Sequence, residues 1–315
     1  MSDSGPVAPS GDGTAGHEAM IAKLQTQIAD LEGKLRRVDV LEMNFRNMQR
    51  HSDLERDRLD WALGAIAGME AEIANYHSAR RTDEYRAVFA TDNPLVSVCI
   101  ATMDRADLLL GRCLPSIIQQ TYQNIEIIVV GDNCIDDTED RLAGLRDNRI
   151  RFCNLNERGP YPRSIFDRWR VAGSNAMNHA LSLCTGHFIT HIDDDDTMVP
   201  HRIETLTTAA MADKADFLWH PLWFQERDGT FTTRGNGRLE LRQVSTGSIF
   251  YHRYFARIPW DVFCYRLQEP GDWNRIRRIK MLRPRLLYID EPLFHHYREG
   301  RQPPLVPRPG ERFLD

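Results

Sequence analysis

An α/β domain is predicted for this chain: a mainly parallel sheet flanked by helices, preceded by a long N-terminal helix or coiled coil. Two observations predict it. From Pro94 onward, short apolar runs alternate with segments of helical period. Apolar strands alternating with helices form a parallel sheet covered on both faces. Before that point, no proline occurs between Pro9 and Pro94, and apolar residues recur in steps of three and four. That spacing is the seam of a long amphipathic helix.

Residues 1–16 are mostly Gly, Ser, Pro, Asp and Ala, too polar to bury a core, and read as a disordered tail. The helical region is placed at 17–90. Its seam runs through Ile21, Leu24, Ile28, Leu31, Leu35 and Val38, slips at Leu41, and resumes at Phe45 and Met48. Leu54, Trp61, Ile66, Ile73 and Tyr76 follow, with Gly64 and Gly68 weakening the helix. One such helix cannot cover its own seam, so a second copy or the face of the next domain is expected to do so. The α/β domain is placed at 94–300 and a C-terminal tail at 301–315. Its strands are expected at Leu95–Ala101, Ile125–Val130, Ile150–Asn154, His187–Ile192 and Asp216–Phe224. Its helices are expected at Asp107–Gln120, Asp137–Arg146, 173–184 and His201–Ala212.

Composition narrows the function. The 315 residues are 42% hydrophobic and 27% charged, ordinary for a globular protein, and the net charge of -5 argues against a whole surface built for nucleic acid, with local basic patches left open. The six cysteines show no CxxC spacing and sit in or beside apolar runs, which suits scattered thiols in a reducing compartment. The first residues lack the features of a signal peptide, and no apolar run approaches 18 residues. A cytoplasmic protein is therefore expected, with peripheral contact at the inner face of a membrane left open.

In parallel sheets, ligands bind at the carboxyl ends of the strands. Thr102-Met103-Asp104-Arg105 follows the first strand, Gly131-Asp132-Asn133 the second, and Asp193-Asp194-Asp195-Asp196 a later one. Four adjacent aspartates repel unless water or a cation intervenes. Strand alternation would place Asp193 and Asp195 on one face, where two oxygen ligands suit Mg²⁺ or Mn²⁺.

Here the sequence resembles family 2 glycosyltransferases of the GT-A fold, and among them the spore-coat polysaccharide type. VSVCIATMDR, QTYQNIEIIVVGDNCIDDT and GHFITHIDDDDTMVPHRIE look like that family's signatures in order. The resemblance implies that Thr102, Asp104 and Asp132 contact the nucleotide, with Gly131 standing where the family usually has a further acidic residue. It implies Asp193 and Asp195 as ligands of Mn²⁺ or Mg²⁺, and Asp194 on the ribose or sugar. It implies Asp272 as the base that takes the acceptor proton, with Glu269 as the fallback. Asp272 could equally cap a helix over Trp273–Lys280.

Weaker candidates were weighed beside these. One of Arg163, Arg168 and Arg170 could clamp a diphosphate. Arg275, Arg277, Arg278, Lys280, Arg283 and Arg285 could meet an anionic surface, or be a solvated helix face. His252 reads as packed or functional alike. Trp219, Trp223 and Trp260 could stack on a sugar but suit a core. His295 and His296 match the family too loosely to join the site.

The expected activity is metal-dependent, inverting transfer of a sugar from a nucleotide-diphosphate sugar, by default a UDP-sugar. The acceptor would be a hydroxyl of a glycan, lipid-linked or protein molecule. Self-association through the N-terminal helix is expected, and no nucleic-acid partner. The alternative is a coiled-coil assembly protein whose sugar-nucleotide module is degenerate.

Overall fold

The computed structural model describes residues 13–298 and 311–314. The chain divides into two compact units, one through Trp61 and one from Ala62 onward. The second unit takes in 62–90, which the sequence groups with the coil. Most of the expected tails, 1–12, 301–310 and 315, lie outside the described residues, as do 299 and 300; Gly13 to Gly16 already belong to a helix.

That helix, α1 (Gly13–Ala79), is continuous. Its seam residues from Met20 to Met48 are exposed. Its last turns are not. Met69 and Tyr76 are buried within the second unit, and the Tyr76 ring lies 5.4 Å from Tyr254 and 5.3 Å from Phe255. Thr82 caps the short α2 (Asp83–Ala87) by accepting the Tyr85 amide. Tyr76 and Tyr85 both donate to Asp216, at 2.8 and 2.7 Å, which also binds Arg285 through its amide and guanidinium. These bonds fix the end of α1 and α2 to the sheet.

The sheet is built from β1 (Val96–Thr102), β2 (Ile125–Gly131), β3 (Ile150–Asn154), β4 (Phe188–His191), β6 (Phe217–Trp219), β9 (Ile249–His252) and β10 (Leu286–Tyr288). Their order is β10-β6-β9-β4-β1-β2-β3. All neighbours are parallel except β9, which runs antiparallel to β4 and β6. A smaller sheet joins β5 (Thr197–Met198), β11 (Phe294–His296), β7 (Leu222–Gln225) and β8 (Phe231–Arg234). The expected strand over Asp216–Phe224 is thus two strands in two sheets, broken at Pro221, which has no amide to donate to a ladder.

Helices cover the sheet. The expected helix after β1 is present as α3 (Ala106–Leu108) and α4 (Leu114–Ile118), separated by one wide turn over Leu109–Cys113. Pro115 supplies no amide there, which suits a local change of pitch. Then come α5 (Thr138–Ala143), α6 (Ile165–Val171), α7 (Ser174–Leu183), α8 (Arg202–Asp213) and α9 (Gly271–Met281). Two apolar clusters lie on opposite sides of β1 and β2: Cys99, Ile128 and Val130 point into one, Val98, Ile100, Ile127 and Val129 into the other. That two-sided burial is why these strands read as unbroken apolar runs. Among the described residues no helix is long and apolar enough to cross a membrane.

The six cysteines are free thiols. The run from Arg275 to Arg285 is not a charged face. Arg275 is buried, donating to the carbonyls of Ile258 and Phe255, and Arg277 grips Glu269. Lys280 donates to Leu239, and Arg285 to Asp216. His252 is packed, its ring stacked 3.9 Å from Tyr85.

Candidate active site

β1, β2 and β4 end side by side, and their following residues are drawn together. Buried Thr102 donates its hydroxyl to Asp194 at 2.7 Å, and its carbonyl accepts the Asp132 amide at 2.8 Å. Asp104 has a left-handed backbone (φ 52°), and its carboxylate accepts the Ile135 amide at 2.8 Å. That bond ties the loop after β1 to the loop after β2. Asp136 accepts from Ala106 and from both the amide and hydroxyl of Thr138, so it holds the starts of α3 and α5. Ligand atoms of Asp104, Cys134 and Asp136 lie within 4.8 Å of one another. Burial pushes the Cys134 thiol up to about 12.

Gly131 stands where the family carries an acidic residue, and the structure gives the reason. A Cβ there would lie 2.5 Å from Asn154 Oδ1 and 3.0 Å from Cys134 Sγ. Asn154 fills the slot, accepting from the Cys134 amide and donating to its carbonyl, both at 2.8 Å. The next residue, Asp132, is buried. Tyr161 donates to its Oδ2 at 2.6 Å and Arg158 approaches to 3.8 Å, while Oδ1 has no hydrogen-bond partner among the described residues. Burial raises its pKa against the help of Tyr161 and Arg158. One free, buried acceptor oxygen is what a ring N–H of a pyrimidine base would need.

The four aspartates do not alternate as a strand. β4 ends at His191, and 193–196 form a turn. The expected pairing of Asp193 with Asp195 on one strand face therefore does not hold. Arg105 binds Asp194 at 2.8 Å and Asp195 at 2.6 Å, and Arg112 binds the Asp195 carbonyl at 3.0 Å. Asp196 is buried, paired with His296 at 3.0 Å and bonded by the Tyr297 amide. The half-buried Asp193 carboxylate makes no hydrogen bond among the described residues. Burial and the neighbouring carboxylates lift its pKa well above the usual range, and burial lifts Asp194 to about 7. Burial works against protonation of His296, but Asp196, Asp193 and Asp195 outweigh it and hold its pKa near 9.

This donor set suits a hard divalent cation. It offers several carboxylate oxygens, those of Asp193 without a hydrogen-bond donor among the described residues, in a place where positive charge is in demand. His296 belongs to the cluster, contrary to its exclusion from the sequence-level site. It lies 100 positions from Asp196, too far for any local signal. The two strands explain the meeting: β11 runs antiparallel to β5, with Phe294 opposite Met198 and His295 opposite Thr197, which leaves His296 facing Asp196. Arg105 and Arg112 were also missed. Their signal was present, an Arg directly after Thr-Met-Asp and another seven residues on.

Each arginine that could clamp a diphosphate has a partner within the fold. Arg168 is buried against Glu311 at 2.6 Å, Arg170 pairs with Asp167, and Arg163 stacks on Phe313. Trp219 and Trp260 are core residues.

Asp272 and Glu269 are separated by their surroundings. Glu269 is fully engaged, held bidentately by Arg277 at 2.8 and 2.9 Å and by Asn274 at 2.8 Å. It braces α9 and has no oxygen to spare as a base. Asp272 accepts the Trp273 amide at 2.7 Å, and among the described residues no side chain donates to it. It is not the helix cap, because α9 already begins at Gly271 behind Pro270. Burial raises its pKa to about 6. Its position follows from close packing. A Cβ at Gly271 would lie 3.1 Å from the Arg170 carbonyl, 3.4 Å from Trp260 and 3.5 Å from Ser174 Oγ. Gly173, before Ser174, packs in the same way on Ala101 at the end of β1. Trp260 also meets His191, the last residue of β4, edge to face at 5.6 Å. Gly271, and with it the start of α9, thus packs beside the ends of β1 and β4.

Comparison with known proteins defines the class first. The chain is similar to the crystal structure of S. aureus TarS 1-349 in complex with UDP-GlcNAc, with a TM-score of 0.52 at 15% identity. The match covers 66% of this chain and 59% of that one, and it shows a GT-A fold. The chain belongs to glycosyl transferase family 2, whose family model matches residues 97–283. It is 30% identical over 186 residues to the GalNAc(5)-diNAcBac-PP-undecaprenol beta-1,3-glucosyltransferase of Campylobacter jejuni, covering 58% of this chain and 55% of that protein. It is also 30% identical over 140 residues to glycosyltransferase GlyG of Streptococcus pneumoniae, covering 44% and 42%. A third relative, the Escherichia coli UDP-Glc:alpha-D-GlcNAc-diphosphoundecaprenol beta-1,3-glucosyltransferase WfaP, is 30% identical over 153 residues, covering 49% and 50%. The chain spans about half the length of these curated relatives.

Proposed function

We propose that this chain transfers a sugar from a UDP-sugar to a hydroxyl of a lipid-linked or other glycan acceptor, with inversion and with a divalent cation. The observation that carries the reading is Asp272: a carboxylate with a raised pKa and, among the described residues, no side-chain partner, at the start of a helix whose Gly271 packs beside the ends of β1 and β4. Family membership and relatives named for UDP-glucose and undecaprenol-linked acceptors support the substrate classes.

Asp132 accepts the base N–H through its free oxygen, with Tyr161 and Arg158 fixing the carboxylate. Thr102 and Arg105 hold Asp194 toward the ribose or sugar. Asp193 and Asp195, with Asp196 and His296 beside them, would hold Mn²⁺ or Mg²⁺. When bound, that ion supplies Lewis-acid stabilisation of the departing diphosphate. Asp272 takes the proton of the acceptor hydroxyl as its oxygen attacks the anomeric carbon. Displacement from the face opposite the leaving group inverts the centre.

The first test is thermal stabilisation by UDP, GDP, dTDP and CDP, each with and without Mn²⁺ or Mg²⁺. A ligand at 100 Kd adds about 2.7 kcal/mol, an easily measured shift. Stabilisation by UDP only with metal supports the reading. Absence of a shift with every nucleotide would instead mark a degenerate module.

A further inference from the structure

The seam of α1 is one pattern with two fates. Ile21, Ile28 and Leu35 occupy the a positions of three successive heptads, and Leu24, Leu31 and Val38 the d positions. All six are exposed, from 49% at Val38 to 64% at Leu35. The b, c and f positions between them are mostly polar or small: Lys23, Thr26, Asp30, Gly33, Arg36, Arg37. At Leu41 the register shifts by three residues, a step that overwinds a coil locally without ending it. The new register puts Phe45, Leu59, Ile66 and Ile73 at a, and Met48, Met69 and Tyr76 at d, interrupted by Ser52 and Glu55. Its end is covered, since Met69 and Tyr76 are buried within the second unit. The first register has no such cover.

We propose that residues 21–38 of α1 pair with the same residues of a second copy, as a parallel, in-register, two-stranded coiled coil. Ile at a with Leu at d favours two parallel strands, and four of the six core positions follow that rule. Charge sets the direction. In a parallel pair, each g residue faces the e residue of the partner's next heptad. Lys34 at g then meets Asp39 at e, and Gln27 meets Glu32, each contact made twice by symmetry. A fully overlapping antiparallel pair would set e against e and g against g, so Lys34 would meet Gln27 and lose Asp39. Lys34 is already held only by an exposed bond to Asp30 at 2.7 Å, which costs little to exchange.

Sedimentation equilibrium on the full chain tests this. A dimer is expected at micromolar concentration. Leu31→Glu should give a monomer whose catalytic unit keeps its melting temperature and its nucleotide-induced shift. Lys34→Glu should weaken the dimer about fivefold, and Lys34→Glu combined with Asp39→Lys should restore it. A monomeric wild type at tens of micromolar, a trimer or tetramer, or a dimer indifferent to Leu31→Glu would overturn the proposal. So would failure of the double charge exchange to rescue, which would mark an antiparallel pair, or a monomer whose seam binds lipid vesicles instead.

Discussion

Two groups of buried aspartate chemistry lie in the same domain and behave in opposite ways. Asp216 is fully buried, yet burial is outweighed by Arg285, Tyr85 and Tyr76, and its pKa falls below the usual range. The cluster from Asp193 to Asp196 has fewer donors than oxygens, and Asp193, Asp194 and Asp196 are pushed upward. Asp272 follows the cluster's pattern, with one backbone donor and a raised pKa. A carboxylate whose donors are complete holds structure. A carboxylate left short of donors retains free energy that a ligand or a proton can release.

The contrast predicts which substitutions damage chemistry and which damage the fold. The largest effect on rate is expected at Asp272. Asp272→Asn should lower kcat by about 10²–10⁴-fold, the usual contribution of a general base, while the melting temperature holds. Steady-state kinetics beside a thermal melt would check both, and full activity would remove Asp272 from the mechanism.

Asp216→Ala should show the reverse. It leaves two buried hydroxyls and a half-exposed guanidinium without their acceptor, at a cost of about 3 kcal/mol. Denaturant unfolding measures it, and the folded fraction should keep its nucleotide-dependent melting shift. The sign with pH follows from the depressed folded pKa. The Asp216 contribution is present above the unfolded carboxylate pKa and is lost as pH falls through the folded value, so wild type and Asp216→Ala should converge in stability in acid.

A smaller effect is expected at Asp193. Asp193→Asn removes one repelling charge, so the metal-free protein should melt slightly higher, by about 1 kcal/mol, and lose its response to Mn²⁺ or Mg²⁺. Differential scanning calorimetry with and without the ion decides it. A variant that still gains fully from metal would take Asp193 out of the ligand set.

The mildest change is in pH dependence. Asp272 acts as a base only when deprotonated, so with a pKa of about 6 the rate should be flat above neutrality. It should fall about tenfold per unit below pH 6. A rate unchanged down to pH 5 would point to another base.

Much of this was legible in the residues. Strand ends carrying Thr102, Asp132 and the aspartate run could be placed because buried strands announce themselves as apolar runs and the residues after them must reach the carboxyl edge. The arrangement within the run could not. Alternation holds only while the chain is extended, and Ile192 ends that geometry, so Asp194 and Asp195 share Arg105 instead of dividing between faces. Glu269 stayed a fallback to Asp272, because nothing local says that Arg277, 8 residues on and within α9, will claim it. The arginine-rich stretch from Arg275 looked solvated until the carbonyls of Phe255 and Ile258 came to it.

The sequence by itself determined β1 to β4, the seam of α1, and the residue types at the sheet's edge, because these follow from local periodicity and the chemistry of neighbours in the chain; β8 to β11 were not among the expected strands. Tertiary structure alone decided which charges are satisfied. His296 reaches Asp196 across 100 positions, and Asp216 collects donors from Tyr76, Tyr85 and Arg285. The balance between a carboxylate's desolvation and its donors is set by groups that only folding brings within hydrogen-bond reach.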